Sequence, residues 1–146
     1  MGVLLIPALN FLALSQKANK VIDTRNQLKV VYNALSSYYK TNNELPCPAN
    51  ITLDITHNNA GKEDCTLNYD IDSSSGDNDI LYGAVPVDDI GLSFKYITDA
   101  WGNKLSYYIR ENATTGTMTG TTDMYTHNKN ISRDDGGTVF VLISHG

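Results

Sequence analysis

The chain opens with a strongly apolar stretch that passes directly into an amphipathic one. Residues 1–14 (MGVLLIPALNFLAL) are mostly apolar. Beyond them, apolar residues recur at helical spacing while polar residues occupy the other side. The apolar positions are Ala18, Val21, Ile22, Leu28, Val31, Leu35 and Tyr38. No Gly or Pro occurs between Ala8 and Leu45, so the pattern predicts one helix of about thirty residues or more, ending in TNNELP where Pro46 bars continuation.

A helix of this length cannot bury both of its halves in a core built from the residues that follow. Its first half is therefore expected to be covered by lipid or by other chains. The segment 1–14, interrupted by Pro7 and Asn10, is shorter than the roughly 20 residues that cross a bilayer, and it lacks the charged start and the cleavage site of a signal peptide. The alternative, a plain core helix, leaves the apolar stretch 3–14 unexplained.

Two later segments have the pattern of β-strands. Residues 139–143 (VFVLI) form an unbroken apolar run, which predicts a strand buried on both faces. Before it, KLSYYIR alternates apolar with polar residues and predicts a half-buried strand whose core face carries Leu105, Tyr107 and Ile109. Residues 80–92 predict a short apolar return to the core. A helix followed by strands predicts the α+β class.

Composition and charge limit the function classes. With 146 residues, 41% of them hydrophobic, the chain is about one folded domain. The net charge of −5 gives no basis for binding a phosphate backbone, so no nucleic-acid partner is predicted. The charge is uneven, because residues 1–40 carry five basic groups and one acid, whereas residues 41–100 carry eleven acids and two basic groups. The molecule therefore has a basic end and an acidic middle.

The two cysteines, Cys47 and Cys65, lie in one polar stretch without the spacing of a zinc site. We favour a disulfide formed in an oxidising compartment over two unrelated free thiols. The histidines, His57, His127 and His145, have no metal-binding spacing, and Ser144 lacks the turn that presents a nucleophilic serine. No catalytic residue is predicted, and we expect the protein not to be an enzyme.

The segment DAWGNKLSYYI combines a turn with the start of a strand. Gly102 and Asn103 tolerate positive φ, and Trp101 supplies the chain's only indole, which we expect to anchor the core. Together with YYKTNNELPCPA, GAVPVDDIGL and the closing FVLISHG, this segment resembles the type IV pilin-like proteins, namely the pseudopilins and minor pilins of bacterial type II secretion and type IV pilus systems. The resemblance spans most of the chain, except residues 50–80 and 112–137.

This resemblance implies a long N-terminal helix, residues 1–44, packed on a small antiparallel sheet within a globular head, residues 45–146. It implies a structural subunit anchored in the bacterial inner membrane through the helix, with other pilin-like subunits as partners and the head in the periplasm or outside the cell. Secretion pseudopilin and pilus subunit both remain open. Pro7 resembles the proline that loosens the pilin helix, and Trp101, Gly102 and Asn103 match the family's strand entry.

The start of the chain departs from the family pattern. The basic leader, the cleavage site before an aromatic residue and the glutamate of the apolar stretch have no counterpart here, so we expect the start to be truncated, and no residues for processing or insertion are carried over. Residues 1–14 correspond to part of the membrane or filament-core segment.

We expect assembly to use the apolar start and the basic residues after it. These positions are Val3, Leu4, Leu5, Ile6, Leu9, Phe11, Leu12, Leu14, Lys17, Lys20 and Arg25. The alternative function is a monomeric secreted or periplasmic binding domain or enzyme, whose hydrophobic N-terminal helix packs on its own sheet. In either case the threonine-rich segment 112–137 has little to bury and predicts a surface hairpin or loop.

Two groups of acids lie in turn-rich segments. They are Asp70, Asp72, Asp77 and Asp79, and then Asp134 and Asp135. Hard carboxylate oxygens on flexible loops suit calcium, and the resemblance adds that major pseudopilins hold calcium in a C-terminal loop. Their spacing does not match an EF-hand, and solvated turn acids are the commoner explanation. Both interpretations stay open, and no other cofactor is predicted.

If calcium occupies one of these groups, a chelator should lower the melting temperature. A ligand that binds only the native state at a hundred times its Kd stabilises that state by about 2.7 kcal/mol. Thermal melts with and without EDTA measure the effect. Identical melts would rule out a stabilising calcium site.

Overall fold

The computed structural model describes residues 5–66, 80–116 and 140–146, and side chains from residue 13 onward within the first helix. The elements in chain order are α1 (Leu5–Asn42), β1 (Ile80–Ala84), a one-turn 3-10 helix (Phe94–Tyr96), β2 (Ser106–Arg110), α2 (Glu111–Thr114) and β3 (Phe140–Ile143). The class is α+β, as predicted: one long helix with a small, three-stranded antiparallel sheet in the order β1-β2-β3.

Helix α1 ends where the sequence predicted. Asn43 takes the left-handed conformation with φ 58°, which asparagine tolerates better than most residues, and its N–H donates to the Tyr39 carbonyl at 2.8 Å. Pro46 follows within three residues and prevents the helix from resuming. The chain therefore leaves the helix through a capped turn and enters the head.

The head packs on the second half of α1. Val31 and Leu35 are fully buried, and Leu28 and Tyr39 pack against the same core from its edge. The core also contains residues of β1 and β2 and of the segments before, between and after these strands, namely Leu45, Ala60, Leu81, Val85, Val87, Ile97, Leu105, Tyr107, Ile109 and Ala113. Helix and sheet thus share one core, with the helix covering one face of the sheet.

Strand β2 is the centre of the sheet. Tyr107 pairs with Gly83 of β1 and with Leu142 of β3. Its ring is fully buried and its hydroxyl donates to the Pro46 carbonyl at 3.2 Å. Glycine is required at position 83 because a Cβ there would collide with the Ala49 carbonyl, which crosses beside β1. The sheet therefore holds the segment just after the helix exit close against its outer strand.

Two predictions about the strands were wrong. The run 139–143 was predicted to be buried on both faces, but β3 lies at one end of the strand order, and Phe140, Val141 and Leu142 are only half-buried while Ile143 is 38% exposed. The pattern reports which residues are apolar, whereas strand order decides which of them are covered.

Strand β2 was predicted to be half-buried. The predicted core face is fully buried as expected: Tyr107 and Ile109 lie on β2, and Leu105 directly precedes it. On the opposite face, however, Ser106 is also buried, and Arg110 is only 8% exposed. A strand with neighbours on both sides is shielded more completely than its alternating pattern indicates.

The segment 112–137 was predicted to be a surface hairpin or loop, and its first residues contradict this. They belong to α2, where Ala113 is fully buried and its carbonyl accepts the Leu45 N–H at 2.8 Å. Small size lets Ala113 fit against the helix exit. Residues 117–137 of the predicted loop lie outside the described residues.

The predicted disulfide is confirmed. Cys47 and Cys65 are bonded with Cα atoms 5.2 Å apart, and Cys47 is buried while Cys65 is exposed. The bond joins the segment after the helix exit to a polar loop, in which the Glu63 carboxylate also accepts the Cys47 N–H at 3.1 Å.

Removing this bond by the double substitution Cys47→Ala and Cys65→Ala should lower the free energy of unfolding by about 3 kcal/mol, because the closed loop no longer restricts the unfolded chain. The sequence separation of 18 residues sets this magnitude. Urea denaturation under non-reducing conditions measures it, with reduced wild-type protein as the comparison. Recovery of two alkylatable thiols from folded, unreduced protein would contradict the bond itself.

Candidate functional site

The first half of α1 extends beyond the head. Every side chain from residue 13 to residue 20 is exposed, including Leu14 at 68%, and Ile22 is 54% exposed. The first buried side chain along the described part of the helix is Thr24, at 5% exposure. We call residues 13–23 the stalk. The helix therefore passes from solvent into the head at Thr24.

The predicted assembly residues lie before the stalk or on it, except Arg25, which follows it on α1. Val3 and Leu4 lie outside the described residues, and Leu5, Ile6, Leu9, Phe11 and Leu12 lie on α1 without described side chains. Leu14, Lys17, Lys20 and Arg25 are all exposed on α1. The basic residues that were predicted to take part in assembly are thus accessible to another molecule.

The stalk joins the head through a turn centred on Asp99. The Asp99 carboxylate oxygen Oδ1 accepts the N–H groups of Trp101 and Asn103, each at 2.9 Å. Backbone bonds close the same turn, and Gly102 takes φ 88°, where a side chain would be strained. The Ala100 N–H then donates to the Thr24 hydroxyl oxygen at 3.2 Å. The turn is therefore shaped by Asp99 and bound to α1 at the point where the stalk begins.

The same carboxylate also holds the end of the chain. The Ser144 hydroxyl donates to Asp99 Oδ2 at 2.6 Å, and His145 Nε2 lies 2.8 Å from the Ser106 hydroxyl. Asp99 is 4% exposed. One buried carboxylate thus connects the turn beside the helix with the segment that follows β3.

Two opposing effects act on the pKa of Asp99. Burial raises it, but hydrogen bonds from the Ser144 hydroxyl and from the N–H groups of Asn103 and Trp101 stabilise the charged form and outweigh burial. The pKa is therefore lowered from its ordinary value. The carboxylate is ionised at neutral pH and accepts hydrogen bonds as an anion.

Trp101 does not anchor the core, contrary to the prediction. It is half-buried and stands outside the core residues, and its contribution to the turn is the backbone N–H that Asp99 binds. The large buried aromatic residue is Tyr107, whose pKa is raised by burial. Sequence analysis missed Asp99, although an aspartate at the start of a turn commonly binds the backbone N–H two residues further on, which forms an Asx turn.

Among the described residues, the side chains able to bind a metal or act as nucleophiles form no reactive site. Cys47, Glu63 and Cys65 come together, but the two sulfur atoms are bonded to each other and cannot act as thiolate ligands. His145 approaches Ser106, but that serine is 1% exposed and closed to a substrate.

The predicted calcium ligands are Asp70, Asp72, Asp77, Asp79, Asp134 and Asp135, and all of them lie outside the described residues. Calcium binding stays a prediction.

A groove of about 450 Å³ lies where the stalk meets the head. Residues of α1, including Asp23 and Gln27, form one wall, and Lys95, Tyr96 and Ala100 form the other. Within the described part of the chain, the buried Oε1 atom of Gln27 has no hydrogen-bond partner. The junction therefore offers space and an unused acceptor to a donor group.

No protein-family model, no curated protein and no solved structure matches this chain. No helix in the described ranges combines the length and the apolar character that crossing a membrane requires.

Replacing Asp99 by Asn should destabilise the protein by about 2 kcal/mol at pH 7, because hydrogen bonds to a charged group are worth roughly 1.5–3 kcal/mol. The folded-state pKa is depressed, so this stabilisation is present above the unfolded pKa of about 3.9 and is lost as pH falls through the folded value. In urea denaturation from pH 7 down to pH 2.5, the free energies of unfolding of wild-type protein and Asp99→Asn should converge.

Asp54→Asn is the matched control. Asp54 is exposed, and its carboxylate accepts the Thr56 N–H in a similar local turn. Because this turn is solvated, its loss should change stability much less. Equal stability of Asp99→Asn and wild-type protein at pH 7, or a difference independent of pH, would contradict the role of Asp99.

Proposed function

We propose that this chain is a structural subunit of a pilin-like filament, a pseudopilin or a minor pilin of a bacterial type II secretion or type IV pilus system. Its N-terminal helix packs among copies of such subunits and enters the inner membrane, while the head faces the periplasm or the exterior. The observation that carries this proposal is that one continuous helix holds the head with its second half and leaves the stalk exposed.

The apolar start of the chain has to be shielded from water. Burying an exposed Val, Leu, Ile or Phe side chain is worth roughly 1.5–3 kcal/mol, and monomeric proteins rarely expose large apolar patches. The stalk separates that start from the head, because residues 13–20 make no buried contact. Lipid or the helices of neighbouring copies would supply the missing cover.

The disulfide supports a head outside the cytoplasm. Disulfides form and persist in oxidising compartments such as the bacterial periplasm and are rare in the cytosol. The bond between Cys47 and Cys65 lies directly after the helix exit. The chain therefore carries an apolar segment at one end and, beyond the stalk, a head suited to an oxidising environment.

A second candidate, a monomeric secreted or periplasmic binding domain, is favoured by the groove at the junction. An acceptor buried there without a described partner, Gln27 Oε1, suits a ligand that donates a hydrogen bond. In this case the chain would stay monomeric, although the exposed stalk of the continuous helix α1 keeps its apolar start from packing on the sheet.

Deleting residues 1–14 should yield a soluble, folded monomer, whereas the full chain assembles. The described core begins at Thr24, so the deletion removes no buried contact of the head. Analytical ultracentrifugation of both chains over a concentration series measures assembly, and thermal melting with an intact disulfide serves as the folding control. A full chain that is monodisperse and monomeric at high concentration without detergent would overturn the filament proposal and favour the binding domain.

A further inference from the structure

One face of α1 binds the head in its second half and carries lysines in the stalk. Lys17, Thr24 and Val31 are spaced by seven residues, close to two helical turns, so they share a face. Lys20 precedes Thr24 by one turn and lies beside them. Thr24 and Val31 are buried against the head, while Lys17 and Lys20 are exposed. We call the exposed part, Lys17 and Lys20, the stalk lysines.

Four carboxylates gather at the other end of the head. The Glu63 N–H donates to the Asp89 carboxylate at 2.6 Å, and Asp88 is the neighbour of Asp89. Glu44 follows the end of α1. We call Glu44, Glu63, Asp88 and Asp89 the head patch; Lys62 beside Glu63 offsets one of its four charges.

The pKa of Tyr38 supports this grouping. Burial raises that pKa, and the negative charges of Glu63, Glu44 and Asp89 raise it further. Three carboxylates from separate parts of the chain thus act on one phenol near the C-terminal end of α1. The partial negative charge of a helix C-terminus adds to the same potential.

The two surfaces are too far apart to meet within one molecule. Lys20 and Tyr38 lie on one unbroken helix, and their separation of 18 positions corresponds to about 27 Å at 1.5 Å per residue. A second copy that lies parallel and is displaced by about this distance along the helix axis would bring its head patch beside the stalk lysines of the first.

We propose that the stalk lysines dock on the head patch of a second copy of this chain, in a parallel, axially displaced arrangement. The inference rests on the proposed function and names the contact between its subunits. The lysines lie on the same face of α1 that the head covers from Thr24 onward, in the part of that face that stays exposed, and their charge complements the patch. Exposed ion pairs contribute little affinity, so this contact determines register and orientation, and salt weakens it.

A zero-length carbodiimide crosslinker tests the contact on the wild-type full chain. It joins an amine to a carboxylate only when the two touch, and Lys17 or Lys20 cannot reach the head patch within one molecule. Mixing isotope-labelled and unlabelled copies, followed by mass spectrometry, should show mixed-label peptides joining a stalk lysine to Glu44, Glu63, Asp88 or Asp89. Assembled protein without these crosslinks would overturn the proposed contact while leaving the filament proposal in place.

Charge reversals give a second, independent measurement. Lys17→Glu with Lys20→Glu, or Glu44→Lys with Asp88→Lys, should each weaken association about tenfold at low salt. The second pair avoids Glu63 and Asp89, whose carboxylates bind backbone N–H groups. Mixing the two reversed chains should restore association, because the acidic stalk of one then faces the basic head patch of the other.

Lys29→Glu is the matched control for Lys20→Glu alone. Lys29 is also exposed on α1 but lies on the opposite side from the stalk lysines, and the charge change is the same. It should leave association unchanged. Equal effects of the two substitutions, or no restoration on mixing, would overturn the contact. A wild-type chain that stays monomeric would overturn the contact and the proposed function together.

Discussion

The packing of the second half of α1 on the sheet is the constraint on which the rest of the structure depends. Val31 and Leu35 share one core with Tyr107 and Ile109 of the central strand. A three-stranded sheet needs an apolar surface over its inner face to be stable in water. The helix supplies that surface, and only the part from Thr24 onward is engaged with the head. The boundary between the head and the stalk is thus set by how far the shared core extends along α1.

Asp99 stabilises this packing at the end nearest the stalk. It gathers the turn that contacts Thr24 and, through Ser144, the segment after β3. At the C-terminal end of α1, Asn43 caps the helix, and the Leu45 N–H donates to the Ala113 carbonyl of α2. The helix is therefore held to the head near both ends of the shared core, by hydrogen bonds that satisfy buried groups. This arrangement keeps the orientation of the head defined relative to the stalk.

The buried polar side chains of the described residues have structural roles. The buried polar groups of the head, such as Asp99 and Ser106, are engaged in holding chain segments together. Exposed lysines, Lys17 and Lys20, lie on the stalk, and the carboxylates of the head patch lie beside the helix exit. If the proposed contact between copies forms, each contact leaves the same two surfaces available again, so that further copies can add in a line.

The sequence by itself determined the features that depend on local pattern. Asn43 and Pro46 ended the helix as predicted, and the alternation in KLSYYIR identified Leu105, Tyr107 and Ile109 as the core face. Helical periodicity and strand alternation are properties of neighbouring residues. The pairing of Cys47 with Cys65 was also predictable, since only two cysteines exist.

Only the tertiary structure decided which of these surfaces are covered and which distant groups meet. It placed the apolar β3 at the edge, left Trp101 half-buried, and made Asp99 the acceptor for Ser144, 45 residues away. It also gathered Glu44, Glu63 and Asp89 around the end of the helix. Coverage and long-range hydrogen bonding depend on how the chain folds back on itself, and no window of neighbouring residues contains that information.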